Sequence, residues 1–549
     1  MNSRRTRTIV ALLAVASVLL VAAAGVAVPG VLSAGPLGDT AATDRPGEPT
    51  TEDTAGYVEG YWYDDELAVD DREDAVVEDD ELDSVVYRSM ARVEELRGLT
   101  FDEEVAVEVI SREEFEDEND ELFANATGDE RIQLNVNAEA LFAVDRGTDA
   151  TEEREALYGG TVGGYYEPST DRVVLVSDNA EMPEVNEAIL GHELLHALQD
   201  QQFDLTSYER ETVDQDNAKN GLIEGDAVWI ESEYEDRCET EWECLEPGEA
   251  ASDSPDVNWV LYATIFQPYS DGPGYVEHRL DADGWDAVDA AYDEPPVSSS
   301  EVIRPGEERE PAEIEVADRS NESWSQLEID GEPATETYGE AGLVAMFAGD
   351  AHDPDEPSVI GPEAFFESDL GGYDYDQPYT DGWAGDELVT YVAVDAETDD
   401  PAAAADRAGY VWETEWTSSE DAEQFLAGYR ELLELHDADP VEDRRDTYAI
   451  DEEFAGAYYL EHDGETVRIV NAPTVEELAA VDEGAAPDGE DAIETDDVDP
   501  DAEANDEPSA ADDGVDDEST PGFAAPTAVV AVAVATAVAV ASRLGRSNR

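Results

Sequence analysis

The stretch Pro183-Glu-Val-Asn-Glu-Ala-Ile-Leu-Gly-His192-Glu193-Leu-Leu-His196-Ala-Leu-Gln-Asp200 decides how this chain is read. Val185, Ile189 and Leu190 recur at helical steps, and Pro183 suits the first position of a helix. On that helix His192 and His196 stand four apart, so both imidazoles leave one face and can grip a single metal ion. Glu193, beside the first of them, is placed to accept a proton from water at that ion. The chain has 6 His in 549 residues, so this spacing around an acid is an uncommon coincidence.

Upstream, Arg172-Val-Val-Leu-Val176 reads as a strand, and Gly164-Tyr-Tyr-Glu-Pro168 as a turn entered from an extended segment. Val173–Val176 is the expected edge strand for an extended substrate. Leu82, Val85, Val86, Met90, Val93 and Leu96 mark an amphipathic helix, and Val105–Ile110 a strand. Further helices are expected at Arg112–Ala124, Asn137–Val144, Glu340–Ala348, Gly385–Val394 and Asp421–Leu435. No internal repeat is present, which favours an α+β architecture in two lobes divided near residue 330.

Downstream, Asn217–Tyr234 reads as a second helix with Leu222, Val228 and Trp229 buried. A catalytic metal needs a third protein ligand. Glu224 is the expected one, with room after His196 for a helix end, a loop and a new helix; Glu231 and Glu233 compete with it. Asp226 is a candidate to hold a ligand histidine through a hydrogen bond.

The H-E-x-x-H motif is the signature of zinc peptidases. Together with Gly164-Tyr-Tyr-Glu-Pro, His192-Glu-Leu-Leu-His-Ala-Leu-Gln-Asp-Gln-Gln-Phe-Asp-Leu205 and Leu222-Ile-Glu-Gly-Asp-Ala227, it resembles the gluzincin metallopeptidases and their relatives among haloarchaeal surface proteins. The likeness extends through Tyr269–Tyr275, Pro295–Glu301, Gly339–Leu343 and Gly382–Asp386. The resemblance implies Zn2+ held by His192, His196 and Glu224, with Glu193 as general base. It also implies a zincin-like core of H-E-x-x-H helix and edge strand over residues 56–330, followed by a C-terminal α+β lobe over 331–480. Where relatives often carry a histidine, this chain has Ile303-Arg304-Pro305, so the oxyanion donor is left among Tyr269, Tyr275 and His278. His352, His436 and His462 are expected at the surface. The expected activity is cleavage of peptide or protein substrates. The alternative is a non-catalytic surface protein that keeps the scaffold.

With 28 Lys plus Arg against 141 Asp plus Glu, the net charge is −113. Such a polyanion offers nothing to a phosphate backbone, which excludes nucleic acid as a partner. The 9 Trp, 23 Tyr and 12 Phe speak for a folded body, and acids in nearly every segment beside a single lysine, Lys219, suit molar salt. A calcium-sink reading finds no D-x-D-x-D-G loop to support it.

The ends point outside the cell. Met1–Thr8 is basic and Ile9–Val28 apolar, as in a signal peptide over residues 1–34, with Arg4-Arg5 a weak hint of twin-arginine export. Residues 35–55 read as a disordered leader and 481–520 as a disordered acidic stalk. Pro521-Gly-Phe523, an Ala/Val run at Ala524–Ala541 and the basic end of residues 521–549 resemble the PGF-CTERM sorting signal. That resemblance implies anchorage at the membrane by this segment, or by a lipid that an archaeosortase attaches, in an S-layer neighbourhood. Cys238 and Cys244 are expected to form a short-loop disulfide.

Overall fold

A computed structural model describes residues 45–493, apart from positions 47, 73–74, 117–126, 160–161, 178, 181, 248–257, 308–310, 350, 353–356, 367–371 and 397–403. The expected signal peptide, the end of the stalk and the sorting signal lie outside these residues, as does most of the helix expected at Arg112–Ala124. No helix of the described residues is long and apolar enough to cross a membrane.

The first layer is built on three strands. Helix α1 (Asp79–Arg97) starts at a capping box between Glu78 and Glu81, and ends at Gly98 in the left-handed region. Strand β1 (Ala106–Ser111) runs parallel to the central strand. Helices α2 (Gly128–Ala140) and α3 (Ala150–Gly159) follow. The expected Asn137–Val144 helix thus lies earlier, because Thr127 caps it by accepting from Glu130 N–H, and Phe142 turns out at φ 55°.

Strand β2 (Gly164–Glu167) pairs antiparallel with β3 (Arg172–Ser177). The sheet order β1-β3-β2 makes Val173–Val176 the centre of the sheet. Val173–Val176 is therefore not the edge expected; the edges of this sheet are Ala106–Ser111 and Gly164–Glu167, the latter a strand rather than a turn. A β3 buried on both sides reads as an unbroken apolar run, which conceals its neighbours.

Helix α4 (Glu187–Phe203) begins after Asn186, whose side chain accepts from Ala188 and Ile189 N–H. Pro183 instead lies in the approach, where its carbonyl accepts from Val77 N–H at 3.0 Å. Leu190, Leu194, Leu195 and Leu198 pack against Val85, Met90 and Val93 of α1 and Val173 of β3.

Helix α5 (Val213–Thr240) is capped by Thr212 and crosses helix α6 (Trp259–Asp283) backbone against backbone. A Cβ on Gly225 would lie 2.3 Å from the Gly272 carbonyl oxygen, so only glycine permits this approach. Helices α7 (Trp285–Asp293) and α8 (Ser299–Ile303) complete this part.

The second layer is an antiparallel sheet. Its central path joins β4 (Trp324–Gln326), β5 (Trp383–Ala393), β6 (Ala408–Trp416), β7 (Thr447–Ile450), β8 (Gly456–Asp463) and β9 (Thr466–Ala472) in the order β7-β8-β9-β6-β5-β4. Helices α9 (Gly339–Ala348) and α10 (Ser419–Leu435) cover one face, and α11 (Val475–Val481) the other. Ile132 and Val136 of α2 also pack into the first of these cores.

Covering on both faces explains the misreading of Gly385–Val394 as a helix. Leu388 and Val392 face one core and Val389, Tyr391 and Ala393 the other, so the alternation that marks a strand is lost.

The acidic chain expected to leave the body at Val481 stays on it. Asp482 pairs with Arg468, Ala485 and Ala486 are buried, and Asp446 accepts from Ala492 and Ile493 N–H at 2.9 and 3.1 Å. Part of the expected leader is held likewise, with Arg45 paired to Asp64 and lying over Trp62.

Two histidines expected at the surface are wedged among aromatic rings. His352 stacks on Trp259 at 3.8 Å and His436 on Phe142 at 4.7 Å. Burial holds the His352 imidazole down to about 4, so it is neutral when folded while the unfolded chain takes up a proton below about 6.5. Its contribution is present above that value and is lost as pH falls through 4. His352→Phe is therefore expected to flatten the loss of stability between pH 7 and 4, read from denaturant midpoints in molar salt.

Candidate metal centre

α4 and α5 bring the three expected ligands together. His192 and His196 are fully buried, Glu224 nearly so, and one ligand atom from each lies within 4.8 Å of the others. Glu224 Oε2 is 3.3 Å from His192 Nε2 and 3.4 Å from His196 Nε2. Burial disfavours charge on His192, yet Glu224 and Glu231 outweigh it and raise its pKa well above the usual value. Burial also opposes ionisation of Glu224, but the two imidazoles hold it well below the carboxylate range.

The arrangement fits a metal ion. His196 Nε2 is buried and has no hydrogen-bond partner, although it points to the same place as the other two donors. Two imidazoles and a carboxylate are the ligand types of a catalytic divalent site, and zinc takes them at close to 2 Å.

Each imidazole is held by its other nitrogen. His192 Nδ1 lies 2.9 Å from Glu231 Oε2, and His196 Nδ1 2.8 Å from Gln199 Oε1. Glu231, expected as a rival ligand, therefore supports a ligand instead. Asp226 touches neither histidine: it accepts from Arg97 Nε and from the Tyr292 hydroxyl, which correct its expected role. Spacing offered a signal for both supporting residues. Glu231 follows Glu224 by two helical turns, and Gln199 follows His196 by three residues, polar on a face otherwise buried.

Glu193 is fully buried, and neither of its carboxylate oxygens has a hydrogen-bond partner. Burial raises its pKa to about 7, against the lowering effect of His192 and His196. Strand β2 passes directly over it: a Cβ on Gly164 would lie 3.4 Å from Glu193 Cγ. Tyr166 on the same strand donates to Asp200 of α4 at 2.9 Å, fixing strand to helix. The side of β2 away from β3 is unpaired among the described residues.

Of the three oxyanion candidates, Tyr275 is buried and accepts from Arg279 at 2.8 Å, and Tyr269 stacks on Phe266. His278 is exposed and lines a separate cavity with Asp271, Glu277 and Asp281. Cys238 and Cys244 are joined, closing the end of α5 so that Leu245 returns to exchange backbone and side-chain bonds with Glu187.

Comparison with known proteins adds one match. Residues 325–482, which carry the second sheet, match a domain of unknown function, DUF8575. No curated protein matches the chain, and no solved structure does.

Proposed function

We propose that this chain is a zinc-dependent peptidase of zincin-like architecture, with His192, His196 and Glu224 as ligands and Glu193 as general base. The observation that carries the reading is the Glu193 carboxylate, buried without a partner beside the three donors. A buried unpaired carboxylate is costly, and a site that merely holds a metal has no use for it. A general base needs just such a free oxygen next to the reacting water.

Zinc, when bound, supplies Lewis-acid polarisation of a carbonyl and a more acidic water. The protein supplies the rest. Glu193 accepts the proton of the attacking water and returns it to the departing amine. The open edge of β2 takes an extended peptide as an added strand, which lays a scissile bond across Glu193. Glu231 and Gln199 keep the imidazoles aimed.

The burial of all four groups favours a second reading, a closed metal site without turnover. Zinc stoichiometry and hydrolysis of a broad peptide library, both in molar salt, separate the two. One zinc per chain with chelator-sensitive cleavage supports the peptidase. One zinc per chain with no cleavage establishes the closed site.

The same proposal places the folded body on the outer face of the cell membrane, in keeping with the apolar stretches at both ends of the sequence. External protease acting on intact cells is expected to release it; full protection would overturn that location.

A further inference from the structure

The amide behind His196 is oriented from a distance. Gln199 can turn either its oxygen or its nitrogen towards His196 Nδ1, and the two choices select opposite tautomers of the ring. The choice is made at the far end of the amide, where both neighbouring groups can only accept. Asp226 is fully buried and accepts from Arg97 Nε, 3.0 Å from each carboxylate oxygen. The Tyr292 hydroxyl, 2.8 Å from Asp226 Oδ2, must give its proton there. Its oxygen is then left to accept.

The Gln199 atom 2.8 Å from that oxygen must accordingly be the NH2 group. The same atom lies 3.0 Å from the Ile223 carbonyl, which also only accepts. Gln199 Oε1 then faces His196, Nδ1 carries the ring proton, and Nε2 presents its lone pair beside Glu224. Tyr292 is itself fixed by the Phe203 ring, stacked on it at 4.0 Å. His192 Nδ1 has its own direct acceptor in Glu231, 2.9 Å away.

We propose that Gln199, its amide oriented by the Ile223 carbonyl together with the one-way hydrogen-bond chain Arg97–Asp226–Tyr292, sets the tautomer of His196, making Gln199 a positioning residue for the metal centre. This rests on the metal-centre reading above, but not on the reaction carried out there.

The test uses the full-length chain in molar salt, with Zn2+ alone as the probe. In the metal-free wild type, long-range proton–nitrogen spectra of labelled histidine are expected to show His196 protonated at Nδ1, the signal being assigned by its loss in His196→Gln. Gln199→Met is expected to weaken Zn2+ binding by about 10- to 100-fold in chelator competition. Tyr292→Phe, which leaves the Ile223 carbonyl to hold the amide, is expected to keep His196 protonated at Nδ1 and to retain most of the affinity.

An Nε2-protonated His196 in the wild type would overturn the proposal whether or not the variants fold. So would a Gln199→Met protein that binds Zn2+ as tightly as the wild type, or a Tyr292→Phe protein that loses as much affinity as Gln199→Met. None of these readouts involves cleavage. Unchanged binding in Gln199→Met sinks the relay and leaves the peptidase standing, whereas a wild type that cuts nothing does the reverse.

Discussion

Glu193→Gln is expected to leave zinc bound at one per chain while slowing peptide hydrolysis by about 10²–10⁴-fold, the usual contribution of a positioned general base. Glutamine matches the shape of glutamate but cannot take a proton. The substitution removes no hydrogen bond, because neither Glu193 oxygen has one to lose. Relieving a buried unpaired charge should leave the melting temperature unchanged or raise it. Kinetics, zinc content and thermal unfolding on the same preparation test all three expectations. Equal rates in the wild type and Glu193→Gln would remove the residue from the chemistry, and a large fall in zinc content would make it part of the site instead.

Glu187→Ala carries the largest expected cost to the fold. Glu187 stands fully buried at the start of α4, five residues before His192. Its carboxylate accepts from Arg88 at 2.9 Å, Arg92 at 2.7 Å, the Tyr234 hydroxyl at 2.9 Å and Leu245 N–H at 3.1 Å. Arg88 retains Asp70, but Arg92 would keep only neutral partners, among them the Tyr63 and Glu243 carbonyls. Removing one side of a buried ion pair typically costs about 3–5 kcal/mol. Denaturant unfolding in molar salt should show that loss, with zinc affinity falling as α4 loosens. A midpoint unchanged by Glu187→Ala would mean that this cluster does not hold the helix.

The candidate metal centre was legible because histidine is scarce here: two of 6, set four apart, stand out against the acidic background, and Glu224 could be sought on the next helical pattern. Its supports were less legible. Glu231 was one glutamate among many, and only the turn of α5 brings it 2.9 Å from His192. The path from Asp226 to His196 passes through Tyr292, on a helix far along the chain, which no local spacing records.

The fold shows a similar division. Helices with one apolar stripe, such as α1 and α10, were readable from periodicity. Segments covered on both faces were not: β5 passed for a helix, and β3 for an edge. Composition alone also misjudged the chain beyond Val481, because the pairing of Asp482 with Arg468 depends on a strand met earlier in the sequence.

Helix α1 carries no ligand, yet it touches both helices that do. Arg88 and Arg92 reach Glu187 on α4, and Arg97 reaches Asp226 on α5, two residues after Glu224. The gap between the histidine pair and the glutamate is thus gauged from behind against a common ruler. Loss of either set of ion pairs would release one of the two helices from that common reference, so the width of the candidate centre rests in part on a helix that contributes none of its donors.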